Sequence, residues 1–312
     1  MTRFDIDMDD FEVLIIGRSC LDVIAVLNRF PFENQKAPLE FRFTEGGGQG
    51  GTAACCITRL GGRVVYIGKL GDDTEGRFCH KRLRDFGVDT QRVEIVSGGQ
   101  TPVAYVFVSQ PSGRRTIIYE RSHLPPVVLS LELQELICKS PVVLLDPEVT
   151  YLGPDLGRLK TDGPMIVYDA ERWRDGLPDI MALADYFIPC EDFLESPELG
   201  FGGLPFEEKL TALKARIKGR LIVTRGKDGA YYFSENNIWH VPVPESAAVA
   251  AVDTIGAGDN FHAAFALAVS RGLNLHRAVR FAVAVASLSC RDYGGRNGVP
   301  TWEEAADLAA QL

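Results

Sequence analysis

From Val142 onward the chain alternates short apolar runs with helical stretches, and this alternation limits the available folds more than any other feature. Val142–Leu145, Met165–Tyr168, Tyr186–Ile188 and Leu221–Thr224 are short and almost wholly apolar, the character of strands buried on both faces. Helical stretches at Pro154–Leu159, Pro178–Leu183 and Pro205–Lys218 lie between them. Parallel strands need crossovers, and crossovers are right-handed, so the pattern predicts a parallel sheet covered by helices. Phe11–Ile16 reads as one more buried strand, ending at Gly17, and two long apolar helices are expected at Asn260–Arg271 and Leu275–Cys290.

Composition narrows the class. With 312 residues, 46% hydrophobic and 24% charged, the chain can bury a full core. No linker is long enough to demand a second domain, so residues 1–312 are read as one. A net charge of -9 argues against nucleic acid as a partner, since that needs a basic surface. No apolar run approaches the ~20 residues of a membrane span. Met1 to Phe11 lacks the basic-then-apolar order of a signal peptide. The seven cysteines form no C-x-x-C pair, and the five histidines show no metal spacing. A cytoplasmic protein without zinc or disulfides is expected.

Several stretches carry chemistry. In Val252–Phe265 a β-type run ends, Gly256-Ala257-Gly258 turns tightly, and a helix begins with Asp259 in its first turn. The N–H groups that open a helix point outward as an anion-binding cup. A proton acceptor would then stand beside any phosphate transferred there. An ordinary helix start also favours an early aspartate, on electrostatic grounds alone, so the turn by itself leaves both readings open. Asp22 follows the first strand, where open α/β sheets bind ligands, and is either a ligand contact or a solvated loop residue.

Gly46, Gly48 and Gly51 match G-x-G-x-x-G, but the strand before them alternates with Glu40 and Arg42. The next strand, Val64–Gly68, ends in Lys69 rather than in an acid that could hold a ribose. A nicotinamide or flavin site is therefore not expected. The glycines still leave a backbone that a small polar ligand can approach. Leu39–Phe43 and a hairpin, Thr101–Ser109 with Arg114–Arg121, read either as a lid sheet or as a plain edge extension.

At this point the residues resemble the PfkB, or ribokinase-like, family of carbohydrate and nucleoside kinases, from about Phe11 to Trp302. Asp253-Thr254-Ile255-Gly256-Ala257-Gly258-Asp259 is similar to the family's C-terminal signature. Gly47-Gly48 through Gly61, Gly68 to Asp73 and Gly87-Val88-Asp89 resemble its N-terminal one, and Val223–Gly229 its nucleotide-side turn. The resemblance implies a three-layer α/β/α sandwich with a mostly parallel sheet and a small β lid at 37–45 and 101–121. It implies an ATP- and Mg²⁺-dependent kinase acting on a hydroxymethyl group, with Asp259 as general base and Gly256, Ala257 and Gly258 as anion hole.

Asp22, Gly47, Gly48 and the position of Thr52 would hold sugar hydroxyls. Thr224, Gly226, Gly229 and Asp253 would line the ATP side, with the adenine near Val283 and Ala286. Asp169, in the family's D-x-N-x-R stretch, and Glu191 would lie near Mg²⁺. A monovalent-cation site beside Asp253 and the Gly294–Gly298 loop, and a homodimer through the lid strands, follow by the same analogy.

Three departures stand out. Thr52 replaces the family's asparagine, so the acceptor of ribokinase itself does not carry over. Cys190-Glu191-Asp192-Phe193 replaces N-x-x-E, and Glu171 replaces the asparagine of D-x-N-x-R. Arg115 and Arg121 on the lid suit an anionic sugar. A nucleoside kinase and a catalytically silent binding subunit are the alternatives.

Overall fold

All four residues of β1 (Val13–Ile16) are buried, because both faces of this strand are covered. Val13 and Ile15 point into one core and Leu14 and Ile16 into another, so the two-residue period of a strand divides one apolar run between two helical layers. The computed structural model describes residues 11–110, 114–160, 163–249 and 251–312. Beside β1 run β4 (Val64–Gly71) and β8 (Val142–Leu145), both parallel to it, with Val13 opposite Val64 and Val142. Outward lie β5 (Val93–Val96) on one side and β9 (Met165–Ala170), β10 (Tyr186–Pro189) and β11 (Arg220–Thr224) on the other, all parallel. An antiparallel pair, β12 (Ala230–Ser234) and β13 (Asn237–Val241), completes a nine-stranded sheet in the order β13-β12-β11-β10-β9-β8-β1-β4-β5.

One face carries α1 (Gln49–Arg59), α2 (Thr74–Asp85), α8 (Ala257–Ser270), α9 (Leu275–Ser289) and α10 (Trp302–Ala309). The other carries α3 (Leu131–Lys139), α4 (Gly153–Leu159), α5 (Leu177–Leu183) and α6 (Phe206–Lys214). The helix α8 can lie at the centre because it is rich in alanine. Ala263, Ala264, Ala266 and Ala268 are fully buried and let neighbouring backbones approach closely. No helix among the described residues is long and apolar enough to cross a membrane.

A second sheet, in the order β3-β2-β6-β7, stands off the first. It consists of β2 (Cys20–Leu27), β3 (Phe41–Gly47), β6 (Val103–Ser109) and β7 (Arg114–Tyr119). Its inner face packs Ile24, Val26, Val106 and Val108 against Ile255. Tyr105 and Ile118 are exposed.

This fold agrees with the expected α/β/α sandwich and corrects its details. Asp22 is not in a loop. It lies in β2, a lid strand that one aspartate in an apolar run had hidden. The strand expected at Leu39–Phe43 lies at Phe41–Gly47 and runs directly into the glycine turn. Among the described residues no strand runs into Val252; α7 (Glu245–Val249) occupies the stretch before it. The helix expected to reach Lys218 ends at Lys214. The β12–β13 hairpin was not expected, and the lid turn's Pro111, Ser112 and Gly113 lie outside the described residues.

Candidate active site

The carboxyl ends of the parallel strands deliver the polar groups to one edge: Gly17 after β1, Asp146 after β8, Asp169 in β9, Cys190 after β10 and Thr224 in β11. This is the edge at which open α/β sheets bind ligands. The N-terminus of α8 arrives at the same place. Gly256 caps it at φ +70°, and a Cβ there would lie 2.7 Å from the Cα of Gly295, so only glycine fits. Gly258 differs, since a Cβ on it would meet nothing within 4 Å. The backbone at Gly258 faces open space. The Ala257 N–H makes a long contact, 3.4 Å, with the Thr254 carbonyl.

Asp253 holds this turn in place from below. It is buried; its Oδ1 accepts from the Ile255 N–H and its Oδ2 from the Gly294 N–H, each at 2.9 Å. Asn260 Nδ2 donates to the Gly295 carbonyl at 2.8 Å and ties the same two loops. Both Asp253 oxygens thus hold the backbone of the turn.

Asp259 is half-buried, and its carboxyl is pushed up to about 7, first by burial and then by the charge of Asp169. Burial and the carboxylates Asp146 and Glu171 push Asp169 well above its ordinary value. His262, one turn beyond Asp259, lies between these groups. Its Nε2 is 3.0 Å from the Ile188 carbonyl and 3.5 Å from Asp169 Oδ1, and its Nδ1 is 2.6 Å from the Gly258 carbonyl. Burial pushes the imidazole below its usual range. A cavity of about 10 Å³, on the order of one water, lies among Gln49, Gly50, Asp146, Asp169, Asp259 and His262.

Two lid contacts reach this edge. Arg115 Nη1 on β7 donates to Thr254 Oγ1 at 2.9 Å, and its charge reaches both Asp253 and Asp259. Arg172 Nη1 donates to the hydroxyl of Tyr119 at 3.1 Å, while its Nη2 pairs with Glu171 at 2.7 Å.

On the lid side, Asp22 in β2 accepts from Cys20 Sγ at 3.2 Å. Burial pushes it up to about 6 against the charges of Arg296 and Arg18. Gly47 packs directly on this carboxylate, for a Cβ there would come within 2.1 Å of Asp22 Oδ2. Gly48 sits at φ +84° with Arg18 and Ser19 backbone against it. These glycines serve close packing as well as any ligand. Thr52 is buried, and its Oγ1 lies 3.4 Å from Arg296 Nε.

On the far side, Cys190 bridges to Thr224. The turn after Thr224 needs Gly226 at φ +48° and Gly229 at φ +89°, and a Cβ on Gly229 would strike the Val241 carbonyl at 2.0 Å. Glu191 Oε1 is held by Arg225 Nε at 2.8 Å. Of the two α9 residues expected beneath a base, Val283 is buried in the core and Ala286 keeps partial exposure. Among the described residues no group of three or more His, Cys, Asp or Glu side chains is arranged as a metal cage. A lone carboxylate such as Asp169 or Glu191 instead fits an ion that arrives on a nucleotide's phosphates, the usual habit of Mg²⁺.

His262, Gln49, Glu45 and Arg296 complete the site without being singled out by any motif of the sequence. The charged residues carried no spacing signal, although a basic residue inside a glycine-rich C-terminal loop could have drawn attention.

A mostly parallel sheet with a helix N-terminus, a basic carboxylate and a second sheet over its carboxyl edge defines an α/β phosphotransferase architecture. The pfkB family carbohydrate kinase model matches residues 10–302, and the chain belongs to that family as an ATP-dependent carbohydrate kinase. It is 28% identical over 300 residues to the ribokinase of Bacillus subtilis, covering 95% of this chain and 99% of that protein. Its fold is similar to that of a putative ribokinase from Agrobacterium tumefaciens, with TM-score 0.84 and 26% identity, covering 96% and 97% of the two chains. It is also similar to Arabidopsis thaliana ribokinase complexed with ribose and ATP, with TM-score 0.80 and 25% identity over 95% and 98%.

Proposed function

We propose that the chain, working as one kinase domain, transfers the γ-phosphoryl of ATP to a hydroxymethyl group of a sugar or sugar derivative. The observation that carries this reading is Asp259: a carboxyl titrating near 7, on the first turn of α8, beside the open backbone of Gly258. A base works best when its pKa lies near the working pH, and Asp259 meets that condition.

In this reading Asp259 takes the proton of the attacking hydroxyl. Gly256, Ala257 and Gly258 hold the charge of the transferring phosphoryl at the helix N-terminus. Asp22, Gly47, Gly48 and Thr52 position the acceptor, with Arg115 closing from the lid. Thr224, Gly226, Gly229 and Ala286 receive the nucleotide, and Asp253 keeps the turn beside it rigid. Asp169 and Glu191 would hold Mg²⁺, which supplies charge neutralisation at the phosphates. The lid excludes water that would compete with the sugar hydroxyl. Tyr105 and Ile118, exposed on the lid's outer side, support a homodimer formed through the lid strands.

A coupled ADP-release assay across neutral sugars, sugar acids, sugar phosphates and nucleosides tests the reading. A sugar or sugar derivative should be turned over best. Turnover of nucleosides alone would remove the sugar assignment, and no turnover of any acceptor would favour a silent binding subunit.

A further inference from the structure

The guanidinium of Arg296 is almost completely buried, at 2% exposure, and only part of it is satisfied. Its Nη2 donates to the Gly47 carbonyl at 2.9 Å and its Nε approaches Thr52 Oγ1 at 3.4 Å, while Nη1 has no partner among the described residues. A buried charge of this kind is costly unless it is compensated. Its compensation comes from the acceptor side. Glu45 and Asp22 are the carboxylates whose charge it feels, and Glu45 is already held in a fork by Arg82 Nε and Nη2 at 2.7 and 2.6 Å.

The glycine turn is shaped around this side chain. A Cβ on Gly46 would lie 2.4 Å from Arg296 Nη1, and one on Gly51 would lie 2.8 Å from its Nη2. Gly47 sits between the two partners, its Cα against the Asp22 carboxylate and its carbonyl on Arg296. The arginine arrives from the other end of the chain to fill this space, beside the Thr52 hydroxyl.

We propose that Arg296 is the positioning residue of the acceptor pocket, setting the Asp22 carboxylate by its charge and the Gly47 carbonyl and Thr52 hydroxyl by its fork. The role rests on the reading that Asp22 and Gly47 hold acceptor hydroxyls. The groups facing Asp22 are Cys20 on its own strand, Arg18 before it, Glu45 on β3, Cys79 on α2 and Arg296. Arg296 and Arg18 are the two positive charges among them. An adjacent positive charge lowers a carboxyl pKa by about 1–3 units.

The test combines carboxyl ¹³C NMR titration of Asp22, assigned with D22N, and steady-state kinetics on the sugar that the wild type turns over fastest. R296Q should move the Asp22 midpoint measurably upward, since a positive charge that favours the carboxylate is lost. It should also raise the acceptor KM by roughly tenfold or more, the worth of a hydrogen bond to a charged group, with kcat and the ATP KM little changed. R296K keeps the charge but loses the fork, so its Asp22 midpoint should stay near wild type while the acceptor KM rises.

An unmoved Asp22 midpoint in R296Q, or a wild-type acceptor KM in either variant, overturns the proposal. If R296Q does not fold, R296K decides through its KM. If D22N itself binds the acceptor normally, the acceptor-side reading fails and takes this role with it. A defective D22N beside a normal R296Q overturns Arg296 alone.

Discussion

Replacing Asp259 with asparagine removes a charge while changing almost no volume, so its effects on rate and on stability can be worked out separately. As the general base, Asp259 should be worth ~10²–10⁴ in turnover, the usual range for a positioned proton acceptor. The stability effect has the opposite sign. Its carboxyl titrates near 7 in the fold against an ordinary 3.8, a gap of about three units. At about 1.4 kcal/mol per unit, the ionised side chain costs the fold at most about 4 kcal/mol. Asp259 is only half-buried, and residual solvent contact lowers this to about 2–3 kcal/mol.

Because the folded pKa is raised, the native state keeps a proton that the unfolded chain gives up. The contribution is stabilising below about pH 4 and is lost as pH rises through 7. D259N should therefore be nearly inactive, and more stable than wild type by about 2–3 kcal/mol at pH 8. The two proteins should converge towards pH 4. Urea unfolding at pH 5 and pH 8, beside an ADP-release assay, measures both effects. A variant with turnover within about tenfold of wild type would refute the base assignment. One that is less stable at pH 8 would refute the claim that this carboxylate is held against its own solvation.

Three further expectations follow from single contacts. G256A forces a side chain into the left-handed region at φ +70° and against Gly295, so it should lose about 2–4 kcal/mol and most activity, measured by thermal unfolding and turnover. D22N removes a carboxyl held near 6, so it should lose less stability than wild type as pH rises from 4 to 6; parallel curves would contradict the burial argument. R115A breaks the bond from the lid to Thr254 and should lower kcat by roughly tenfold or more with the fold intact, since an exposed lid residue supports no core; an unchanged kcat would confine Arg115 to acceptor binding.

How much of this protein was legible before folding depends on the range of the interaction involved. Buried parallel strands announce themselves as uniform apolar runs, so Val142–Leu145 could be read to the residue, and β9, β10 and β11 to within one or two residues. The α8 turn was legible because Gly256 and Asp259 are neighbours in sequence and act as a local unit. The lid was read only in part, since Asp22 broke the apolar pattern of β2 and pulled the eye towards a loop.

Tertiary structure decided everything that rests on contacts between distant segments. Asp259 acquires its basicity from Asp169, ninety positions away in the chain, and from burial that no local pattern encodes. Only the fold shows that Arg225 holds the Glu191 carboxylate and that the core closes over Val283. Gly46, Gly47 and Gly51 were legible as glycines that something must approach. That two of them make room for Arg296 and the third for Asp22 emerges only when the last loop folds back onto the first helix. A sequence records residue types and short-range periods, whereas burial, charge proximity and steric need are properties of the assembled neighbourhood.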